Sequence, residues 1–422
     1  MLFKKLIRSF AIGSESSDTA KSTPPTSHTS QKGKRTCVYF TSWSIYEERN
    51  HFPQDIPLDY ATNVFLAFAN IDSKTGEVSL GDKYADLEYE FKPSEESGLH
   101  QKVHGIVRKF VELQTVKYPH IKISLSIGGW SNRENFSKGL NTETKLLRFI
   151  DSSIKLVKEL GINGIDLDWE YPQNIHEGKI YLQVIKSLRE RLREMEMVQF
   201  GQIRDSYLLT IASPAFEDKL QYFNLSEMDK FLSFWNLMTY DFAGEWSEKA
   251  GYHCNLFNSA DGEDEDALCA DDGVKYLLKH GIPSEKIVLG MANYGRSFTN
   301  TKGLGHDFNG VGRGSSDEGG IWNYNVIIKS FKPSEIFYDA KACSAYVYSH
   351  ECKLGKNHPE KNLFIGFDNV ESVKRKAQYV KSMKLGGGMW WESCGDDYQD
   401  EDLCLLKTFV KGLGGKEQLL RE

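Results

Sequence analysis

Positive charge is in short supply: 52 Lys and Arg stand against 59 Asp and Glu, a formal net charge of −7. No basic stripe occurs outside the first few residues, which excludes a sequence-independent grip on nucleic acid, because such a grip rests on neutralising phosphates. Long apolar runs are missing too; none approaches the ~18 residues that would span a bilayer. Cysteine is sparse, with seven in 422 residues, at Cys37, Cys254, Cys269, Cys343, Cys352, Cys394 and Cys404. None forms a CxxC pair and no His/Cys cluster has zinc spacing, so the sequence calls for neither a metal nor a disulfide scaffold. One or two bridges are compatible with the count, Cys343 and Cys352 being the nearest pair, and the redox compartment stays undecided.

What is present is ample material for a core: 40% of residues are hydrophobic and 12% aromatic. The first residues, "MLFKKLIRSFAIG", carry Lys4, Lys5 and Arg8 within their apolar run. That breaks the uninterrupted core of a signal peptide and reads instead as a short basic amphipathic segment. Through residue 35 the chain is rich in Ser, Thr, Pro and Lys, and is expected to be disordered. Beyond it, eight short runs rich in Val, Ile, Leu and aromatics read as strands: 37–43, 63–69, 121–127, 164–170, 207–213, 234–240, 286–292 and 387–391. Amphipathic helical patterns lie between them, such as 144–162 and 371–386, the second ending on Gly386 as a C-cap. Repeated βα units predict a parallel sheet, and eight of them point to a (β/α)8 barrel, with a doubly wound open sheet as the competing topology. The expected barrel covers residues 36–299 and 363–415. An interval of Gly-rich turns and short β-like runs at 300–362 reads as a small α+β insertion before the last strand. The acidic stretch Asp261 to Asp272 reads as a solvated loop.

The stretch "GINGIDLDWEYP" raises the functional question. Asp166, Asp168 and Glu170 alternate with Ile165, Leu167 and Trp169, so the acids share one face of a strand. In an antiparallel sheet that face would be ordinary surface. In a barrel the apolar face packs on helices and the acids point inward, where three charges are costly unless protons are shared. Same-face neighbours lie about 6.5–7 Å apart in rise, so the row should titrate as a coupled set. Glu170 comes last, at the mouth where barrel active sites lie, and a carboxyl kept protonated there suits a general acid. Trp43, Trp130, Tyr240, Trp246, Trp390 and Trp391 fall at or just after strand ends, as rings that stack on sugars would. Ordinary retaining glycosidases need a nucleophile across the scissile bond from the acid. Acids along one strand cannot supply both, so the nucleophile would be a carboxylate from another strand, such as Asp241, or a group on the substrate.

Five stretches, "NGIDLDWEYP", "SLSIGGW" (124–130), "NLMTYDFAGEW" (236–246), "YGRSF" (294–298) and "LGGGMWW" (385–391), resemble in order the strand motifs of glycoside hydrolase family 18, the chitinases. The resemblance covers about residues 36–410, and the interval before the last strand is similar to the insertion of deep-clefted members. It implies hydrolysis of β-1,4-linked N-acetylglucosamine without a cofactor, by a monomer acting on chitin or its oligomers. Glu170 would be the acid, the substrate's own N-acetyl carbonyl the nucleophile, and Asp168 would turn from Asp166 toward Glu170. Tyr240 would hold the acetamido oxygen and Asp241 would contact the sugar. The resemblance further implies that Trp391 floors the central subsite with Tyr39, Phe68 and Met238, while Ser126 and Tyr39 satisfy Asp166. Gly129 and Trp130, with Trp246, would lie on the leaving-group side, Trp43 on the other, and Tyr294 and Arg296 would be cleft contacts.

Two positions depart from the family pattern. Asn163 stands where Asp is usual; taken as the deepest member of the acidic row, it implies altered protonation and a shifted pH optimum. Cys394 replaces a common acid, which puts peripheral cleft contacts in doubt. A non-catalytic lectin on the same barrel would typically lack Glu170, and endoglycosidases that cut N-glycan cores generally lack the insertion. Chitin is extracellular and two sequons, at Asn135 and Asn224, fit secretion, but the first residues form no clean signal, so cell wall, exterior and interior all stay open.

Overall fold

The computed structural model describes residues 33–92, 103–258, 268–315, 318–352 and 360–421. Eight apolar runs form strands: β1 (Arg35–Thr41), β2 (Asn63–Ile71), β3 (Lys122–Gly128), β4 (Gly164–Asp168), β5 (Leu208–Pro214), β6 (Phe234–Met238), β7 (Ile287–Ala292) and β8 (Gly387–Trp391). Each pairs in parallel with its neighbours, and β1 pairs with both β8 and β2, so the sheet closes on itself. Closure decides for the (β/α)8 barrel over the open sheet.

The crossover helices follow their local signals. Helix α1 (Glu143–Leu160) starts at Thr142, whose side chain accepts from the Lys145 amide, and ends at Gly161 with φ 67°. Helix α2 (Ile175–Phe200) is capped in the same way by Asn174 and Gly201. Helix α3 (Val370–Ser382) departs from expectation, since it stops four residues before Gly386 and Lys384 takes the left-handed backbone at φ 57°. Gly386 serves close packing instead: a Cβ there would sit 2.4 Å from the Glu285 carbonyl oxygen. The outward face of β4 is apolar, as alternation requires. Ile165, Leu167 and Trp169 are buried, and Trp169 stacks on Phe136 at 5.1 Å.

Between β7 and β8 the chain builds a five-stranded sheet, Ile321–Asn323, Tyr294–Phe298, Glu360–Phe367, Ser344–Cys352 and Ile336–Asp339 in spatial order, all antiparallel. A helix, Tyr324–Ser330, packs with it. Cys343 and Cys352 flank its longest strand, roughly 30 Å apart at 3.3 Å per residue, so they cannot bridge. Of the segment expected to be disordered, residues 1–32 lie outside the described residues, while Lys34 and Arg35 are ordered by Gln418 and Gly386. Residues 261–267 of the acidic stretch also lie outside them; Asp271 and Asp272 open the helix Ala270–Lys279. No helix among the described residues is long and apolar enough to cross a membrane.

Candidate active site

Strand register explains how Asp166 survives burial. Ser126 on β3 and Thr210 on β5 are its direct partners on either side. Ser126 donates to it at 2.8 Å, Thr210 at 2.6 Å, Tyr39 from β1 at 2.8 Å and Asn236 from β6 at 3.3 Å. Four donors on one carboxylate offset much of the desolvation, although burial still holds its pKa above the usual carboxylate range. Asp168 has no such support. It is buried, its Oδ1 has no hydrogen-bond partner, and burial with the charges of Glu170 and Asp166 pushes its pKa far up. Gly128, paired with Asp168, leaves it room to sit so deep, since a Cβ at Gly128 would lie 2.1 Å from the Asp168 carbonyl oxygen.

Glu170 lies two residues past the end of β4, at the barrel mouth. Burial and the nearby charge of Asp241 raise its pKa to about 7, against the opposing pull of the Tyr171 hydroxyl at 3.2 Å and of Arg133. At neutral pH the row thus holds protons on Asp168 and, in part, on Glu170, a division that belongs to the set. Asp241, just beyond β6, is the opposite case. Burial would raise its pKa, but the charge and hydrogen bond of Arg296 beside it, with His253 near by, outweigh that and hold it well below the usual range. Tyr294 donates to Asp241 Oδ1 at 2.5 Å and Arg296 Nε at 2.6 Å, while His253 Nδ1 stands 3.8 Å from the same oxygen. Asp241 is therefore a fixed anion.

These groups open into a cleft of about 880 Å³ at the C-terminal end of the barrel. Tyr39, Trp43, Phe68, Gly129, Trp130, Asp168, Glu170, Met238, Tyr240, Asp241, Trp246, Tyr294, Arg296 and Trp391 all line it, with Asp166 and Ser126 beneath. Trp391 stacks on Phe68 at 5.5 Å and meets Tyr39 at 5.6 Å. Trp43, Trp130 and Trp246 expose 37%, 60% and 57% of their surface, as rings waiting for a flat partner do, whereas Trp390 is core. Trp130 carries the Arg133 guanidinium at 4.2 Å and Trp246 that of Arg296 at 4.7 Å, which fixes both rings.

Asn163 overturns one expectation. It has the opposite parity to Asp166, at the foot of β4, where its Oδ1 accepts from the Ile123 amide at 2.8 Å and from Gln114 at 2.7 Å. It plays no part in the acidic row, so the pH argument attached to it falls. Cys394 packs its sulfur 3.1 Å from Arg49, which pairs with Glu392 at the cleft edge. Reading the motifs missed Thr210, Asn236, Tyr171, Arg133 and His253. The first two carry a signal, polar residues inside otherwise apolar strands; His253 sits in an irregular segment and carries none.

Comparison with known proteins agrees with the geometry. The family model Glycosyl hydrolases family 18 matches residues 35–396. Sporulation-specific chitinase 2 of Saccharomyces cerevisiae is 38% identical over 411 residues, spanning 89% of this chain and 77% of that protein. Endochitinase 1 of Metarhizium robertsii is 33% identical over 380 residues, spanning 90% and 85%. Among solved structures, a mutant GH18 chitinase from Cycas revoluta in complex with (GlcNAc)4 superposes with a TM-score of 0.71 at 26% identity, covering 90% of this chain and 100% of the other. With that match across most of its length, this chain belongs to the glycosyl hydrolases of family 18.

Proposed function

We propose that the protein is a chitinase that cleaves β-1,4-linked N-acetylglucosamine with retention of configuration, using the substrate's acetamido group as nucleophile. The observation that carries this reading is the one-sided placement of the acids. Glu170 and Asp168 approach from a single strand, and Asp241, the carboxylate from elsewhere, is clamped by Tyr294 and Arg296 and is a poor nucleophile. Glu170, protonated, gives its proton to the glycosidic oxygen. As that bond breaks, the N-acetyl carbonyl oxygen of the same sugar bonds to the anomeric carbon and forms an oxazolinium ion. Asp168, whose Oδ1 is unpartnered, turns toward Glu170 and accepts from the acetamido N–H. Tyr240 donates to the acetamido oxygen and Trp391 carries the sugar ring. Glu170, now a carboxylate, takes a proton from the water that opens the oxazolinium, so configuration is retained.

The test is hydrolysis of chitin hexamer with product anomers followed by NMR at early times. β-anomers are expected from the wild type; α-anomers would overturn the mechanism, and binding without cleavage would make the protein a lectin. The pH dependence follows from the sign of the Glu170 shift. Its pKa is raised to about 7, so the active, protonated form persists up to that pH and is lost above it. We expect kcat/KM to fall as pH rises through about 7, and Arg133→Ala, which removes a charge that lowers that pKa, to move this limb to higher pH in the same titration.

A further inference from the structure

No sequence motif singles out His253, yet its side chain lies wholly buried behind Asp241. Its Nε2 stands 3.1 Å from the Tyr294 carbonyl oxygen. A carbonyl cannot donate, so Nε2 carries the hydrogen and, in the neutral ring, Nδ1 carries a lone pair. That nitrogen stands 3.8 Å from Asp241 Oδ1, too far for a hydrogen bond, and finds no hydrogen-bond partner among the described residues. The rest of the residue is tied down. Its carbonyl oxygen accepts from the Phe242 amide at 3.0 Å, and its ring lies 4.8 Å from that of Tyr294. His253 thus joins the segment just past β6 to the strand Tyr294–Phe298, the two pieces that carry Asp241 and its clamp. Asp241 takes the left-handed backbone at φ 60°, which a non-glycine residue keeps only where its surroundings hold it.

A buried polar atom without a partner is costly, and here a proton would supply one. With hydrogen on Nδ1 the ring becomes a donor and a cation facing a carboxylate. A charge-assisted bond of this kind settles at about 2.7–2.9 Å, so the gap to Asp241 would close by roughly 1 Å. Asp241 lines the cleft, and its charge, after burial, is what raises the Glu170 pKa. A misplacement of about 1 Å at such a group can cost on the order of 10²-fold in rate. The charges around the ring set when this happens. Burial holds the imidazole below its usual pKa and Arg296 works the same way, while Asp241 and Asp368 oppose them. Asp368 is itself paired with Lys376 of α3, which also donates to the Cys254 carbonyl at 2.8 Å. His253 is therefore neutral near pH 7 and takes its proton on the acid side.

We propose that His253 is a positioning residue for Asp241: neutral, it holds the Tyr294 strand and leaves Asp241 facing the cleft; protonated, it bonds Asp241 Oδ1 and draws it back. The catalytic consequence rests on the chitinase reading, whereas the shared proton rests on the geometry of His253 and Asp241 alone.

The test is kcat/KM against pH on chitin tetramer for wild type, His253→Gln and His253→Ala. Beside it runs an NMR titration of the imidazoles in wild type and Asp241→Asn, with the His253 signal identified by its loss in His253→Gln. Wild type should lose activity as pH falls through the His253 titration. His253→Gln can still donate to the Tyr294 carbonyl but takes no proton, and should carry the acid limb about one pH unit lower. His253→Ala, which loses the tie as well, should be roughly tenfold slower at neutral pH, with most of that restored in His253→Gln. In Asp241→Asn the imidazole should titrate at lower pH, since the carboxylate that favours its charge is gone. An acid limb at the same pH in wild type and His253→Gln, or a His253→Gln as slow as the alanine variant, overturns the positioning role. A wild type that cuts no oligomer at any pH overturns the chitinase reading. The titration then decides the shared proton by itself, and an imidazole unmoved by Asp241→Asn overturns it.

Discussion

Glu170→Gln should lower kcat on chitin oligomers by roughly 10³-fold while leaving their affinity close to wild type, within the 10²–10⁴ typical of a positioned general acid. The substitution is nearly isosteric, and the Tyr171 hydroxyl at 3.2 Å can still donate to the amide oxygen, so the cleft keeps its shape. What is lost is the transferable proton, and with it the only acid in the row at the barrel mouth. The loss should therefore fall on kcat and on kcat/KM equally, the pattern of an interaction made only in the transition state. Steady-state kinetics on the tetramer beside calorimetric binding of the hexamer separates the two quantities. Retention of more than a tenth of wild-type turnover would mean that another group supplies the proton.

Asp168→Asn should cost roughly 10²-fold in kcat, the scale of removing one group that stabilises developing charge. Asp168 is buried, and its Oδ1 finds no partner within the protein. Such a group is expensive to keep, and burial together with the charges of Glu170 and Asp166 holds its proton on. That cost makes sense if the missing partner arrives with the substrate. The asparagine fits the same space but has no proton to release, so unlike Asp168 it cannot become an anion beside a cationic oxazolinium. Single-turnover rates on chitin oligomers would report the chemical step directly. Activity within threefold of wild type would show that Asp168 only fills space. Thermal stability should rise or stay level, since a buried carboxyl with an orphaned oxygen is replaced by an amide.

The Asn163 result shows where reading along the chain goes astray. A motif spelled in order looks like one row, but side chains alternate, and Asn163 stands on the opposite face from Asp166 at the foot of the strand. Three predicted strands also ran two residues too far at their functional ends: β1 stops at Thr41, β4 at Asp168 and β6 at Met238. Glu170, Tyr240 and Asp241 stand past the last ladder bond, free of the sheet geometry that apolar periodicity reports.

Local periodicity was enough to find eight strands, to place Asp166 and Asp168 on one inward face, and to put aromatic rings at the strand ends. These are properties of one segment at a time, because side-chain direction along a strand or helix depends only on its own backbone. Which strands abut is a long-range matter, and that is where tertiary structure decided. Only the closed barrel brings Tyr39, Ser126, Thr210 and Asn236 from four strands onto one carboxylate. The antiparallel sheet between β7 and β8 sets Tyr294 and Arg296 against Asp241, and thereby makes one acid a fixed anion while Asp168 keeps its proton. Protonation depends on distances of a few ångströms between residues tens to hundreds of positions apart, and only the folded chain sets those distances.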